Sequence, residues 1–466
     1  MIVSVTLVTQ PGTLRPMLAL ALPVLAEQLL AMLLGLSDMV LAGHYLDQPH
    51  LAAMNLMAYV LWLTHGMFAV VAIGATALVA RFIGAGNREM ARHVVNQALL
   101  VGALLALLIT TCGSAFVPGA IRLLQMQGSS GDHAVSYIRW LLPVIPLVMM
   151  QTVGIASLRG AGDMVAGLMV MLVVNTVNVV VSWSLVLGLG PLPELGWNGL
   201  AAGTASGYCV GGMLMMSLLG RGRAGLGIGR RWLRPDRRLI RRLLRIGLPG
   251  GMDMLALIGC QFWFVSLINQ LGVLAAAAHG VAIRIESLAF LPGVAFQMAA
   301  ATMAGQHLGA RDHHRAGRSV LMALLVGGGL MAGAGLLFYT LAPQLALLLI
   351  GSGQLEVALH AAPLLRTISL AMPALALTMI LSGALRGAGD TRWPLAFTMI
   401  GFLGIRLPLA YWLAFDAVQL PGTAVVLAGW GWGVLGAWYA MVADLTVRAA
   451  LVLYRFHHGG WKLIEV

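Results

Sequence analysis

At 466 residues, with 60% hydrophobic and only 9% charged side chains and a mean hydropathy of +0.90, the chain carries more apolar surface than a water-soluble core could enclose. That composition excludes an ordinary soluble enzyme and points to a polytopic membrane protein, long enough for about twelve spans of ~20 residues each. The net charge of +12 and pI near 10.6 would suit a nucleic-acid binder, but the arginines gather in loops between apolar runs, so no nucleic-acid partner is expected.

The predicted fold is all-α. Apolar runs fall at 17–43, 51–80, 94–117, 133–156, 164–189 and 197–219, and again at 246–269, 274–302, 319–341, 357–381, 394–415 and 430–453. Residues 1–16 hold a single Arg15, and the first run is too long for the h-region of a cleavable signal, so the first span is expected to act as its own insertion signal. That span carries Pro23, Glu27 and Asp38. At ~1.5 Å and ~100° per residue, the step from Glu27 to Asp38 returns to nearly the same helix face. A carboxylate at bilayer depth costs at least ~2.5–3.5 kcal/mol and belongs in a protein interior or an aqueous cavity. Asp38 therefore reads as a cation or proton site, with a structural acceptor at an unwound turn as the alternative. Pro23 removes a backbone donor and is a candidate hinge.

Ten arginines crowd residues 221–245, and the chain divides there. The expected units are an amino-terminal lobe of six helices (1–220), a basic interlobe loop (221–245), and a second six-helix lobe with a short tail (246–466). With six spans per lobe, Arg15, Arg81, Arg88, Arg92, Arg159, the central ten, Arg311, Arg315, Arg318, Arg386, Arg392, Arg455 and Lys462 share one face, whereas the opposite loops hold only Arg122. This asymmetry predicts both termini in the cytoplasm and an address in the inner, or plasma, membrane. Binding of lipid headgroups or of a partner would be an added role for the central arginines.

The halves also repeat in sequence. LALPVLAEQ at 20–28 pairs with IGLPGGMDM at 246–254, setting Pro23 opposite Pro249 and Glu27 opposite Asp253. ARFIGAGNREMARH (80–93) pairs with AGQHLGARDHHRAG (304–317), SLRGAGD (157–163) with ALRGAGD (384–390), and LGWNGLAAG (195–203) with GWGVLGAW (431–438). Parallel repeats of this kind place a pseudo-two-fold axis along the membrane normal and a cavity where the lobes face each other. The RGAGD turns allow tight reversals, with arginine and aspartate free to bond neighbouring helix ends. Glu27 and Asp253 suit a shared scaffolding or gating role, with cation binding as the alternative. Arg284 and Glu286 lie two apart, off a common helix face, and each is expected to pair with another helix. The repeat position of Asp38 in the second half is Phe264, so one lobe alone carries that acid. On the fifth span, Asn175, Asn178 and Ser182 offer either neutral oxygens beside Asp38 or interhelical hydrogen bonds.

Catalytic signatures are missing. The chain has no HExxH, GxSxG or paired CxxC, and its only lysine, Lys462, excludes a Walker A motif. Cys112, Cys209 and Cys260 lack disulfide or metal spacing. Neither enzymatic activity, a metal nor a cofactor is expected, and uphill transport would draw on an ion gradient or another subunit.

LPVLAEQLL…SDMVLAGHY in the first span, ARFIGAGN after the second, LRGAGD after the fourth, LGWNGLAAG at the sixth, AIRIESLAFLPG…AAATMAGQHLGA through the eighth and LRGAGDTRWPL after the tenth together resemble the multidrug and toxic compound extrusion (MATE) transporters. The likeness spans essentially the whole chain. It implies two six-helix lobes and export of amphipathic, often cationic, organic compounds driven by entry of H⁺ or Na⁺. It further implies that Asp38 is the coupling acid, that Pro23 bends the first helix when that acid is protonated, and that Asn178 belongs to the site. Ser182 stands where some relatives have a second aspartate, and Leu257 and Leu375 stand near acids that other relatives carry in the second lobe. An ion site in that lobe is therefore not implied. Small organic substrates and membrane lipids are the expected partners, and a monomer the expected unit. Two other readings are a lipid or lipid-linked oligosaccharide flippase, with Arg284 and Arg406 to meet a diphosphate, and a non-transporting membrane scaffold.

Overall fold

A computed structural model describes residues 12–123, 129–419 and 426–464. The start of the stretch assessed for a signal, parts of the loops at 118–132 and 416–429, and the side chain of Arg122 lie outside the described residues. Among the described residues, twelve helical spans are long and apolar enough to cross a membrane, as the hydropathy pattern predicts. In chain order they are α1 (Leu14–Tyr45), α2 (Gln48–Gly84), α3 (Arg88–Leu123), the broken pair α4 (Ser129–Leu141) and α5 (Ile145–Gly160), α6 (Val165–Leu187) and α7 (Trp197–Gly220). There follow α8 (Arg237–Gln270), α9 (Val273–Gly309), α10 (His313–Ile350), α11 (Leu355–Gly387), the broken pair α12 (Arg392–Met399) and α13 (Leu407–Ala414), and α14 (Gly433–His458). Pro143 lies in the tight turn between α4 and α5, and a π-helical stretch, Ile400–Arg406, joins α12 to α13. A short antiparallel hairpin pairs Ala417–Gln419 with Val426–Ala428 before the last span.

The helix α8 reaches back into the stretch expected to be loop. Asp236 caps it, accepting from the backbone N–H of Arg238 and Leu239 at 2.9 and 3.2 Å. Leu239, Leu243 and Ile246 bury one side while Arg238, Arg241, Arg242 and Arg245 stay exposed, so the first turns are amphipathic rather than unstructured.

Apolar packing concentrates in each half around its own centre. Phe68, Leu78, Val94, Val153 and Leu158 are buried together in the first. Phe264, Met331, Leu365, Met372 and Trp438 are buried together in the second. A third cluster joins Met17, Leu20 and Val24 of α1 to Phe296, Met303, Ile380 and Leu385 of the second half. Leucines such as Leu104, Leu107, Leu325 and Leu336 remain more than half exposed, as side chains facing lipid should.

The arginine-rich face is closed by a near-symmetric seam. Near their ends, α2 and α9 cross so tightly that a Cβ on Gly84 would strike the carbonyl of Gln306, and one on Gly309 the carbonyl of Arg81. Arg81 donates to the carbonyl of Ala388 at 3.0 Å, in the second RGAGD turn. Gln306, which holds the same place before the C-cap of α9 that Arg81 holds in α2, donates to the carbonyl of Gly160 at 2.9 Å, in the first. Thr302 adds a bond to the carbonyl of Arg159 at 3.0 Å.

Candidate coupling site

Asp38 projects from α1 into a pocket formed with α4, α6 and α7 and is 7% exposed. The centre of that pocket is Thr204. Its hydroxyl accepts from Tyr137 Oη at 2.9 Å and from Asn178 Nδ2 at 3.2 Å. Its proton is directed to Asp38 Oδ2 or to the carbonyl of Leu200, each 3.3 Å away. A hydroxyl has one hydrogen and two lone pairs, so Thr204 is saturated by these neighbours. Asp38 Oδ1, Asn178 Oδ1 and Ser182 Oγ are buried without a hydrogen-bond partner. The helices α6 and α7 meet closely here, since a Cβ on Gly203 would run into Ser182 Oγ.

Every other ion pair lies elsewhere: among the described residues, no arginine, lysine or histidine is within ion-pair distance of Asp38. An ionised carboxylate buried in that setting has lost its water without gaining a counter-charge, an unfavourable state that a proton or a bound cation relieves.

The sequence reading named Asp38, Asn178 and Ser182, and all three line this region. Asn175 turns back on its own helix, donating to the carbonyl of Met171 at 2.8 Å, so its amide does not supply the pocket. Thr204 and Tyr137 were missed. Both are uncharged, and the one signal for Thr204 was its place directly after the LGWNGLAAG repeat. Pro23 lies within α1, which runs unbroken from Leu14 to Tyr45.

Glu27 and Asp253 serve the turns. Arg159 Nη2 meets Glu27 Oε1 at 2.6 Å, and Arg386 Nη2 meets Asp253 Oδ2 at 2.5 Å. Each pair ties the first helix of a half to the arginine of that half's RGAGD turn. The aspartates of the turns are also engaged. Asp163 bonds Arg223 and caps α6 through Ala166 N at 3.1 Å, and Asp390 bonds Arg455 Nε at 2.9 Å. Burial pushes the Asp390 carboxyl up, and Arg455 pulls it back.

The second half is built differently at the depth of Asp38. Phe264 is fully buried, its ring 5.9 Å from that of His279, which accepts from Trp438 Nε1 at 3.1 Å. Beside it Asp444 is clamped by Arg448 at 2.7 and 2.8 Å and by Arg406 at 2.7 Å, and both guanidiniums lie over the Phe402 ring, at 4.9 and 4.2 Å. Glu286 lies close enough to Arg406 for their charges to interact, with Oε2 buried and unpartnered. Arg284 corrects the expectation that both members of the Arg284/Glu286 pair would find another helix. It is exposed on α9, where no carboxylate from another helix reaches it, and it forms no ion pair among the described residues.

The MatE family profile matches residues 23–184 and 249–412, one match in each half. The chain is 25% identical over 456 residues to the probable multidrug resistance protein NorM of Thermotoga maritima, covering 97% of this chain and 94% of that one. To the probable multidrug resistance protein YoeA of Bacillus subtilis it is 24% identical, covering 98% and 96%. Among solved structures it is similar to a MOP superfamily transporter from Pyrococcus furiosus, with a TM-score of 0.89 at 22% identity and 99% of both chains covered. With twelve spans, a repeated half and a family match in each repeat, the chain belongs to the MATE family of multidrug efflux transporters.

Proposed function

We propose that this chain is a secondary antiporter of the inner membrane, with both termini cytoplasmic, in which H⁺ or Na⁺ bound at Asp38 is exchanged for an amphipathic organic cation. The observation that carries this reading is a buried carboxylate with one oxygen unpartnered and, among the described residues, no ion-pair partner. A proton, a sodium ion or a cationic substrate each relieves that unpaired charge, and any two of them together overcompensate it. Mutual exclusion is what coupled exchange requires, since a ligand that binds both conformations equally shifts neither. A proton needs Asp38 alone. Sodium also needs neutral oxygens, and Asn178 Oδ1 and Ser182 Oγ are the unpartnered ones nearby.

Charge loss at Asp38 would let the outer part of α1 repack, with Pro23 as the point where the missing backbone donor weakens the helix. Release on the other side requires opening the seam held by Arg81, Thr302 and Gln306. The flippase alternative gains little support. Arg406 already serves Asp444, so one of the two guanidiniums that would meet a diphosphate is engaged by a carboxylate.

The test is uptake of a fluorescent organic cation into vesicles containing the full-length protein, with a pH gradient and a Na⁺ gradient imposed separately. Wild-type protein should respond to one of them, and Asp38→Asn to neither. Gradient-driven uptake by Asp38→Asn at the wild-type rate would remove Asp38 from the mechanism.

A further inference from the structure

A second, unrelated site lies on the arginine-rich face, where α8 and α12 enter the membrane. A cavity of about 490 Å³ opens there, lined by Arg242 and Arg245 of α8, Asp390, Thr391 and Arg392 around the start of α12, and Ile464 of the tail. Asp390, the one carboxylate lining it among the described residues, is already neutralised, because its Oδ2 holds Arg455 at 2.8 Å. The Thr391 hydroxyl is also occupied, donating to the carbonyl of Ile246 at 2.7 Å. That leaves three guanidiniums. Arg242 lies over the Phe82 ring at 5.7 Å, and neither Arg245 nor Arg392 forms an ion pair among the described residues. Three cations lining one concavity repel one another unless an anion joins them, and guanidinium forks match phosphate oxygens in shape and charge.

The depth of the cavity points to where that anion resides. Leu248, three residues beyond Arg245, is 51% exposed, and Trp393, next to Arg392, is 46% exposed. An exposed tryptophan and leucine beside arginines at the entry of two spans mark the boundary between headgroups and acyl chains.

We propose that the cavity between the basic ends of α8 and α12 binds the phosphate of an anionic lipid headgroup through Arg242, Arg245 and Arg392. The occupant would sit beside the seam between the halves, since Arg242 stacks on Phe82 of α2 and the carbonyl of Ile464 accepts from Arg81 at 2.9 Å.

The experiment is calorimetric titration of the detergent-purified full-length protein with dioctanoyl-phosphatidylglycerol, dioctanoyl-phosphatidylcholine and inorganic phosphate. Saturable binding of the anionic lipid is expected, with little from the zwitterionic one. The Arg242→Gln/Arg245→Gln/Arg392→Gln variant should bind it roughly a hundredfold more weakly, at about fivefold per arginine. Arg237→Gln/Arg238→Gln/Arg241→Gln, which removes the same charge from α8 outside the cavity, should bind like wild type. If the first triple variant does not fold, Arg392→Gln alone should still show the loss of about fivefold. Saturation by inorganic phosphate, abolished by the same variants, would support the phosphate site and identify a soluble ligand as sufficient. The proposal is overturned if neither phosphatidylglycerol nor phosphate saturates, if the two lipids bind equally, or if both triple variants lose the same affinity.

Discussion

On the arginine-rich face the two halves are nearly superposable in their chemistry: Glu27 holds Arg159 as Asp253 holds Arg386, and Arg81 and Gln306 each reach the opposite RGAGD turn. Toward the other face they part. One half leaves Asp38 buried without a counter-cation, and the other fills the equivalent position with Phe264 and locks its own buried acid, Asp444, between Arg406 and Arg448. The duplicated chain has thus kept the elements that close the seam in both copies, while the acids Asp38 and Asp444 sit in opposite charge environments. The difference lies in pairing. Both Asp38 and Asp444 are buried acids, but Asp444 is already compensated, so a further cation would gain little there.

The largest effect expected from this comparison is in transport, and it separates the two acids. Asp38→Asn should abolish gradient-driven uptake without loss of thermal stability, because it removes a buried charge that has no ionic partner. Asp444→Asn should do the reverse in stability, destabilising by about 3–5 kcal/mol as two buried guanidiniums lose their shared carboxylate. Unfolding of both variants in detergent, followed by fluorescence, checks this. Equal destabilisation by the two would break the distinction between a compensated and an uncompensated acid.

The shared face makes its own demand. Glu27→Gln and Asp253→Asn should each cost about 3 kcal/mol, and by similar amounts, since each strands a partly buried arginine at an equivalent turn. A loss in one half alone, seen by the same unfolding measurement, would show that the symmetry is geometric but not energetic.

Within the pocket, Thr204→Val keeps the shape and removes the hydroxyl that Asp38, Asn178 and Tyr137 share. We expect a loss of about 1–3 kcal/mol in stability and roughly tenfold in apparent affinity for the coupling ion, read from the gradient dependence of uptake. Unchanged ion dependence would mean that Thr204 only packs.

The smallest effect concerns a turn. Gly86 adopts φ of +75° one residue past the C-cap of α2, whereas Arg311, at the same place after α9, is held at +60°, a region unfavourable for any residue with a Cβ. Arg311→Gly should raise stability by about 1 kcal/mol. A lower melting temperature instead would show that the exposed arginine side chain does more than endure the turn.

The amount of this that is legible in the linear chain follows from the range of the forces involved. Asp38 stood out because a carboxylate within an apolar run is costly wherever the run folds. Thr204 and Tyr137 gave no comparable signal, since a hydroxyl is tolerable in a membrane helix and becomes informative only when three helices bring it to a carboxylate. Arg284 and Glu286 looked alike as charges at depth, but only the packing of α9 leaves one exposed and brings the other near Arg406. The arginines of 237–245 read as loop by charge, while burial of Leu239 and Leu243 together with the Asp236 cap make them helix.

Hydropathy was sufficient by itself for twelve spans, because insertion into a bilayer is decided segment by segment; the internal repeat and the lone acid of the first span supplied only the expectation of two halves and a coupling site. Which oxygens gather around that acid, which charges neutralise each other, and where three unpaired arginines form a cavity were decided by helix packing. Those properties depend on distances of a few ångströms between residues far apart in the chain, and no single segment encodes them.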